Sequence, residues 1–417
     1  MRTLEKYSIG IGDRFGRQGR AQLQALAAAK EAGVTVVPVW NKSFREHSII
    51  HTEPADVRRE ADAAVRALRW KDSYYVDADH INLKNVDAFI EASDFFTLDV
   101  ADYIGRRAEA ADLRRFAERC GAYSGKLSIP GVDRPFAVTP QDIESIGARY
   151  LWAVQEAGRI YRHILAAKGE GTFVAEVSMD ETKEPQTPVE LFFILAAIAE
   201  QGIPAQTIAP KFSGRFNKGV DYVGDVARFE REFREDLLVI AFAIDRFDLP
   251  RNLKLSVHSG SDKFSIYGSM RSAIREFNAG LHLKTAGTTW LEELTGLAAA
   301  GGDGLRLAQQ VYRAAYGRFD ELCGPYATVI DIDRARLPSP DAVDGWSSET
   351  YAAALSHDPS CPEFNAHFRQ LLHVGYKVAA EMGKRYLDAL EEFESTIAGN
   401  VTANIYERHL RPLFVGP

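Results

Sequence analysis

A chain of 417 residues that is 46% hydrophobic and 26% charged is long enough for one large domain or two. That composition excludes a disordered tail, a repeat fibre and a small disulfide-stapled scaffold. The net charge of −8 has the wrong sign for a surface that collects phosphate backbones, so nucleic acid is not an expected partner. Cys120, Cys323 and Cys361 are scattered and form no CxxC pair, which suits a reducing cytoplasm. Nowhere do about 18 uncharged apolar residues run together, so neither a membrane span nor a secreted product is expected.

Short β-branched and aromatic runs recur along the chain, each followed by a stretch of helical periodicity. They are Tyr7–Ile11, Val34–Trp40, Tyr74–Val76, Phe95–Val100, Thr172–Val177, Gln206–Ala209, Leu253–Val257 and Gly280–Leu283. Several are continuously apolar, as expected of strands covered on both faces. Helical patterns such as Gln18–Ala32 and Asp142–Lys168 lie between them, with Gly33 and Gly171 placed to end helices. Eight strand-then-helix units predict a (β/α)₈ TIM-type barrel over residues 1–290. A Gly/Pro-punctuated excursion at 121–140 interrupts the alternation and reads as a small hairpin or lid, and 291–417 reads as a helical C-terminal extension packed on the barrel. An open doubly wound sheet would need a phosphate fingerprint after the first strand. There Gly10, Gly12 and Gly16 occur, but Phe15 occupies the third glycine position of GxGxxG, so no nicotinamide is expected.

In such a barrel the chemistry sits where the strands end. The third strand is followed by Asp77, Asp79 and His80, the fourth by Asp99 and Asp102, and the fifth by Glu176, Asp180 and Glu181. The sixth is followed by Lys211, the seventh by His258 and the eighth by His282 and Lys284. Histidines at three strand ends with carboxylates nearby suit a divalent metal (Zn, Mn, Co or Ni) with mixed nitrogen and oxygen ligands. Asp77 and Asp79 share one face of a continuing strand while His80 faces the other, so Asp79 and His80 can both serve a site only if the strand is ending. Glu176 lies inside an apolar strand, where a carboxylate is costly to bury without a metal or a donor. Asp180 and Glu181 fall in the loop beyond it and read as facing water.

The segments YSIGIGDRFGRQGRAQLQAL, PVWNKSFREHSIIHTEP, YVDADHI and SDFFTLDVADYIG resemble the tagaturonate epimerase family, as do EVSMDET, APKFSGRFNKGVDYVGD, VHSGSDKFSIYG and LHLKTAGTTWLEEL. The resemblance implies a metal-dependent isomerase that interconverts D-tagaturonate and D-fructuronate in hexuronate catabolism. Some relatives act on neutral ketohexoses such as tagatose and fructose. The two uronates differ at a carbon β to the ketone, which enolisation cannot reach, so retro-aldol cleavage and re-addition is the expected route. On this resemblance His80, His258 and His282 hold the metal, and Asp79 and Glu176 form the acid/base pair. Lys211 or Lys284 stabilises oxyanions, a Schiff-base lysine being the aldolase-like alternative. Arg14 and Arg17 take the substrate carboxylate, helped by backbone donors of the glycine-rich loop, with Lys42 and Arg45 as further candidates. The expected partner is thus a small-molecule sugar acid or ketohexose, with a homo-oligomer left open; a metal-dependent isomerase or aldolase acting on a related sugar and a sugar-binding barrel without activity are the competing readings.

Overall fold

The computed structural model describes residues 2–285 and 288–416. Ten strands occur among them: β1 (Tyr7–Gly12), β2 (Val37–Ser43), β3 (Tyr75–Ile81), β4 (Phe95–Asp99), β5 (Gly125–Leu127), β6 (Phe136–Val138), β7 (Val174–Ser178), β8 (Ala205–Ala209), β9 (Lys254–His258) and β10 (Leu281–Lys284). Eight of them, all but β5 and β6, form a closed parallel barrel in the order β1-β10-β9-β8-β7-β4-β3-β2. This is the (β/α)₈ barrel that the alternation predicts. The helices following the first strands, α1 (Gly19–Glu31), α2 (Phe44–Ile50) and α3 (Pro54–Leu68), show why the elements start where they do. Ser43 caps α2 with a reciprocal Glu46 contact, and Pro54 opens α3, where a missing N–H costs nothing.

Strand alternation sorts the barrel into two chemistries. Outward residues such as Ile9, Trp40, Val76, Phe96, Val177 and Leu283 belong to the large hydrophobic core shared with the helices. Inward residues near the N-terminal end form a separate apolar plug of Leu4, Val37, Val39, Tyr75, Phe95 and Val174. Further along the same inward faces come Asn41, Asp77, Thr97, Glu176, His258, His282 and Lys284. The barrel interior is thus mainly apolar below, apart from groups such as Lys254, and polar above. The third strand also runs further than its apolar stretch suggests, to Ile81 rather than Val76, because its acidic residues are satisfied by groups inside the barrel.

β5 and β6 pair antiparallel as a small hairpin within 121–140. After the barrel, the helix Thr288–Ala300 is buried along nearly its whole length, and the later helices close over it. A Cβ on Gly296 would lie 2.7 Å from Ile397 Cα in the helix Glu394–Ala403, so this crossing requires glycine. Ala286 and Gly287, within the LHLKTAGTTW segment, lie outside the described residues.

A buried carboxylate ties the C-terminal helices to the barrel. Asp262, in the loop after β9, is inaccessible and pairs with Arg369 at 2.8 Å; His357 and His409 approach it at 3.0 and 3.3 Å. Burial opposes its ionisation, but Arg369 and the two histidines hold it well below the usual carboxylate range. Arg369→Met would leave that charge short of its guanidinium, and a loss of about 3 kcal/mol is expected. A urea unfolding midpoint indistinguishable from that of the parent chain would contradict it.

Candidate functional site

The polar half of the barrel interior centres on Lys284. Its Nζ lies 2.8 Å from Asp77, 2.6 Å from Asp79 and 3.6 Å from Glu176, and donates to Thr97 Oγ1 at 2.7 Å. Thr97 Oγ1 in turn lies within hydrogen-bond distance of both Asp77 and Glu176. Burial disfavours the ammonium, yet Asp77, Asp79 and Glu176 hold its pKa well above the ordinary lysine value. Three carboxylates around Nζ favour the ammonium form, whereas a Schiff base requires the free amine. Burial, reinforced by Asp79 and Glu176 against Lys284, pushes Asp77 up to about 6. Burial acts the same way on Asp79 and Glu176, but the Lys284 charge overrides it and keeps both ionised.

Gly10 makes room for this arrangement. A Cβ there would stand 2.8 Å from Lys284 Cγ and 2.9 Å from Asn41 Nδ2, so the first glycine of the GxG cluster serves side-chain packing. The loop's backbone donors are also committed: the Asp13 carboxylate accepts from the N–H groups of Phe15, Gly16, Arg17 and Gln18. The expected anion nest is thus filled by the chain's own carboxylate.

His80 reaches the site by a backbone irregularity. The β3–β4 register shifts between Ala78 and Ile81, and His80 has φ 53°, a left-handed conformation that a non-glycine residue adopts at a cost of about 1–3 kcal/mol. This bulge resolves the facing problem posed by alternation, since Asp79 and His80 both turn toward the barrel axis. The His80 ring lies 5.3 Å from that of His258, and one ligand atom each of His80, Asp180 and His258 falls within 4.8 Å of the others. Burial works against a charged His258 ring, but Asp180 and Glu176 lift it to about 9. The same surplus of negative charge suits a divalent cation.

The residues fit such an ion. Nδ1 of His258 faces Asp180 at 3.2 Å and Nδ1 of His80 faces Asp99 at 3.4 Å without an aligned hydrogen bond, while His258 Nε2 meets Glu176 at 2.8 Å. A carboxylate on the far nitrogen is the usual support for a metal-binding imidazole, because it fixes tautomer and ring orientation. A second group, His80, Asp99 and Glu181, shares the first histidine.

The other expected site residues are placed apart. His282 is one layer deeper, with Nδ1 at 2.8 Å from Ser8 Oγ and its ring against Phe95, and it is not a member of either ligand group. Burial, with Lys284 and His258 nearby, lowers its pKa to about 3. Lys211 Nζ donates to the Thr182 carbonyl and so staples two loops together. Arg17 pairs with Glu391 at 3.2 Å on the half-exposed surface. Arg14 is buried, paired with Glu46 and stacked 4.6 Å from the Tyr376 ring. Lys42 is buried with Nζ on the Arg14 carbonyl, and Arg45 stands over Tyr326 at 5.6 Å. Asp180, read from sequence as water-facing, turns into the barrel mouth. The available signal was alternation carried past the strand end, since Glu176, Ser178 and Asp180 are spaced two apart.

The model of the tagaturonate epimerase family matches residues 1–411. A tagaturonate/fructuronate epimerase of Thermotoga maritima is 28% identical over 422 residues, an alignment covering 97% of this chain and 80% of that protein. The native crystal structure of a fructuronate-tagaturonate epimerase from Cohnella laeviribosi superimposes with a TM-score of 0.81 at 24% identity, covering 99% of this chain and 82% of that one. A crystal structure of that protein complexed with two glycerols gives 0.82, again at 24% identity. At that identity the likeness speaks for the fold.

The ligand geometry is open to direct measurement. After loading with Zn²⁺ or Mn²⁺ and dialysis, His258→Ala and Asp180→Ala are expected to lose the ion, whereas His282→Gln retains it. Retention by Asp180→Ala together with loss in His282→Gln would return the metal to the His80, His258 and His282 set, and retention by His258→Ala would remove that histidine from both.

Proposed function

The chain belongs to the tagaturonate epimerase family, and from that membership we propose that it is a metal-dependent epimerase interconverting D-tagaturonate and D-fructuronate. The observation that carries the mechanistic part is the Lys284 ammonium flanked by the ionised carboxylates of Asp79 and Glu176, beside a converging group of His80, Asp180 and His258. These last three would hold the divalent cation, which supplies Lewis-acid polarisation of the substrate ketone when bound.

The remaining steps fall to the chain's own residues. The inverting carbon lies β to the ketone, so the bond between it and the α carbon must break and re-form. A carboxylate takes the proton from the hydroxyl on the inverting carbon, that carbon becomes an aldehyde, and the bonding pair stays on the ketone fragment as an enediolate. After the aldehyde turns, the enediolate carbon attacks its other face and the proton returns to the new alkoxide. Asp79 and Glu176 approach Lys284 Nζ from different strands, β3 and β7, which suits proton removal from one configuration and delivery to the other. Glu176 is equipped for this: Oε1 accepts from His258, while Oε2 is buried without a partner. Lys284 provides fixed positive charge near developing oxyanions without reorganisation.

Deuterium on the inverting carbon distinguishes this route from hydride or proton removal there. Cleavage of the carbon–carbon bond leaves that C–H intact, so the epimerisation rate followed by NMR is expected to change only slightly. A several-fold slowing, or solvent deuterium appearing at that carbon, would rule the route out. Asp79→Asn and Glu176→Gln are each expected to lower kcat by about 10²–10⁴ with the bound metal retained; activity near the parent level in both would remove them as the acid/base pair.

A further inference from the structure

A second concentration of charge occupies the same end of the barrel, contributed by the segments after β1, β2 and β8 and by the C-terminal helices. Tyr326 is its centre. The Arg45 guanidinium lies 5.6 Å and Lys218 Nζ 5.9 Å from the Tyr326 ring, and the Tyr326 and Tyr376 hydroxyls meet at 3.2 Å. Arg14 stacks on Tyr376, and its Nε is buried without a hydrogen-bond partner. Glu46 answers the Arg14 charge, but among the described residues neither Arg45 nor Lys218 makes an ion pair. Two cations without a carboxylate partner within 6 Å of one ring suit an anion from outside.

His373 points the same way independently. It is 2% exposed, and both ring nitrogens are buried without partners. A Cβ on Gly219 would lie 3.3 Å from His373 Cβ, so the His373 side chain starts beside the Lys218–Gly219 turn. Burial, followed by the charges of Lys218 and Arg14, keeps the imidazole neutral, so it offers a donor without adding to the repulsion among the cations. Burial alone would raise the Tyr326 pKa, yet the Tyr376 hydrogen bond and the surrounding cations lower it.

The segment carrying Lys218 is also hydrogen-bonded to the loop after β9. Lys218 N donates to the Val329 carbonyl at 2.8 Å, Gly219 N to Ser261 Oγ at 2.9 Å, and Arg369 to the Gly219 carbonyl at 2.7 Å. Ser261 lies three residues beyond His258, so the turn carrying Lys218 is clamped to the loop that leaves the site.

We propose that Arg45 and Lys218, with the Tyr326 hydroxyl and the Arg14 and His373 backing, form the subsite that binds the carboxylate of a six-carbon sugar acid. This rests on the epimerase reading above and names the groups that select a uronate over a neutral ketose. In the retro-aldol route the carboxylate sits on the aldehyde fragment. Holding that end keeps the fragment in place while its carbonyl turns to present the other face.

The test compares the parent chain with Lys218→Met, Arg45→Met and Lys218→Arg in the metal-loaded protein. D-tagaturonate serves as substrate, and D-tagatose as substrate or, where it is not turned over, as competitive inhibitor. Lys218→Met and Arg45→Met are expected to raise KM for D-tagaturonate about tenfold or more and to weaken the preference for it over D-tagatose by a similar factor. Lys218→Arg, which keeps the charge, restores most of the loss. KM values within twofold of the parent in both methionine variants, or equal losses on the two sugars, overturn the inference while leaving the epimerase reading intact. A parent chain that does not epimerise D-tagaturonate at all removes both.

Discussion

The barrel mouth depends on one buried ammonium. Lys284 brings a positive charge to a point where Asp77, Asp79 and Glu176 converge, and it is the one cation that touches all three carboxylates among the described residues. Desolvating any one of them costs several kcal/mol, a cost offset only by a close partner and further hydrogen bonds. Thr97 supplies one such bond, and Gly10 leaves the space through which the lysine stem passes. An apolar cluster lies beneath, and a low local dielectric strengthens charge interactions beside it.

That electrostatic centre explains the residues around it. With the carboxylates held ionised, His258 is fixed between Glu176 and Asp180, and His80 is drawn inward across a bulge despite an unfavourable backbone conformation. Strain of this kind persists where the surrounding structure over-determines it, and such places are commonly functional. The C-terminal helices contribute to the same end of the molecule through Asp262 and Arg369, and the segment after the barrel brings Tyr326 and Tyr376 beside Arg14, Arg45 and Lys218.

Legibility differed between fold and site. All eight barrel strands were readable because apolar runs alternating with helical periodicity are local properties of the chain. Glu176 stood out for a local reason as well, being an acid within an apolar strand. Asp180 reads as water-facing because loop residues carry no facing information once a strand is taken to have ended, whereas it stands 3.2 Å from His258. His282 was grouped with His80 and His258 because all three lie at strand ends, yet inward residues two positions apart on β10 occupy different layers, and only Lys284 reaches the upper one. Arg14 and Arg17 looked equivalent in GDRFGRQGR, but the turn sends one into a buried ion pair and the other to the surface.

What the sequence by itself determined is the element order, the barrel and the inventory of titratable groups at its open end, since each follows from spacing along a single strand or helix. The tertiary structure alone decided which of those groups meet. Groups from different strands have no fixed separation in sequence, so convergence depends on barrel closure, on layer height and on a one-residue bulge at His80. The filling of the glycine-rich loop by Asp13 and the gathering of Arg45, Lys218 and His373 are decided in the same way, by distances in space that local periodicity does not encode.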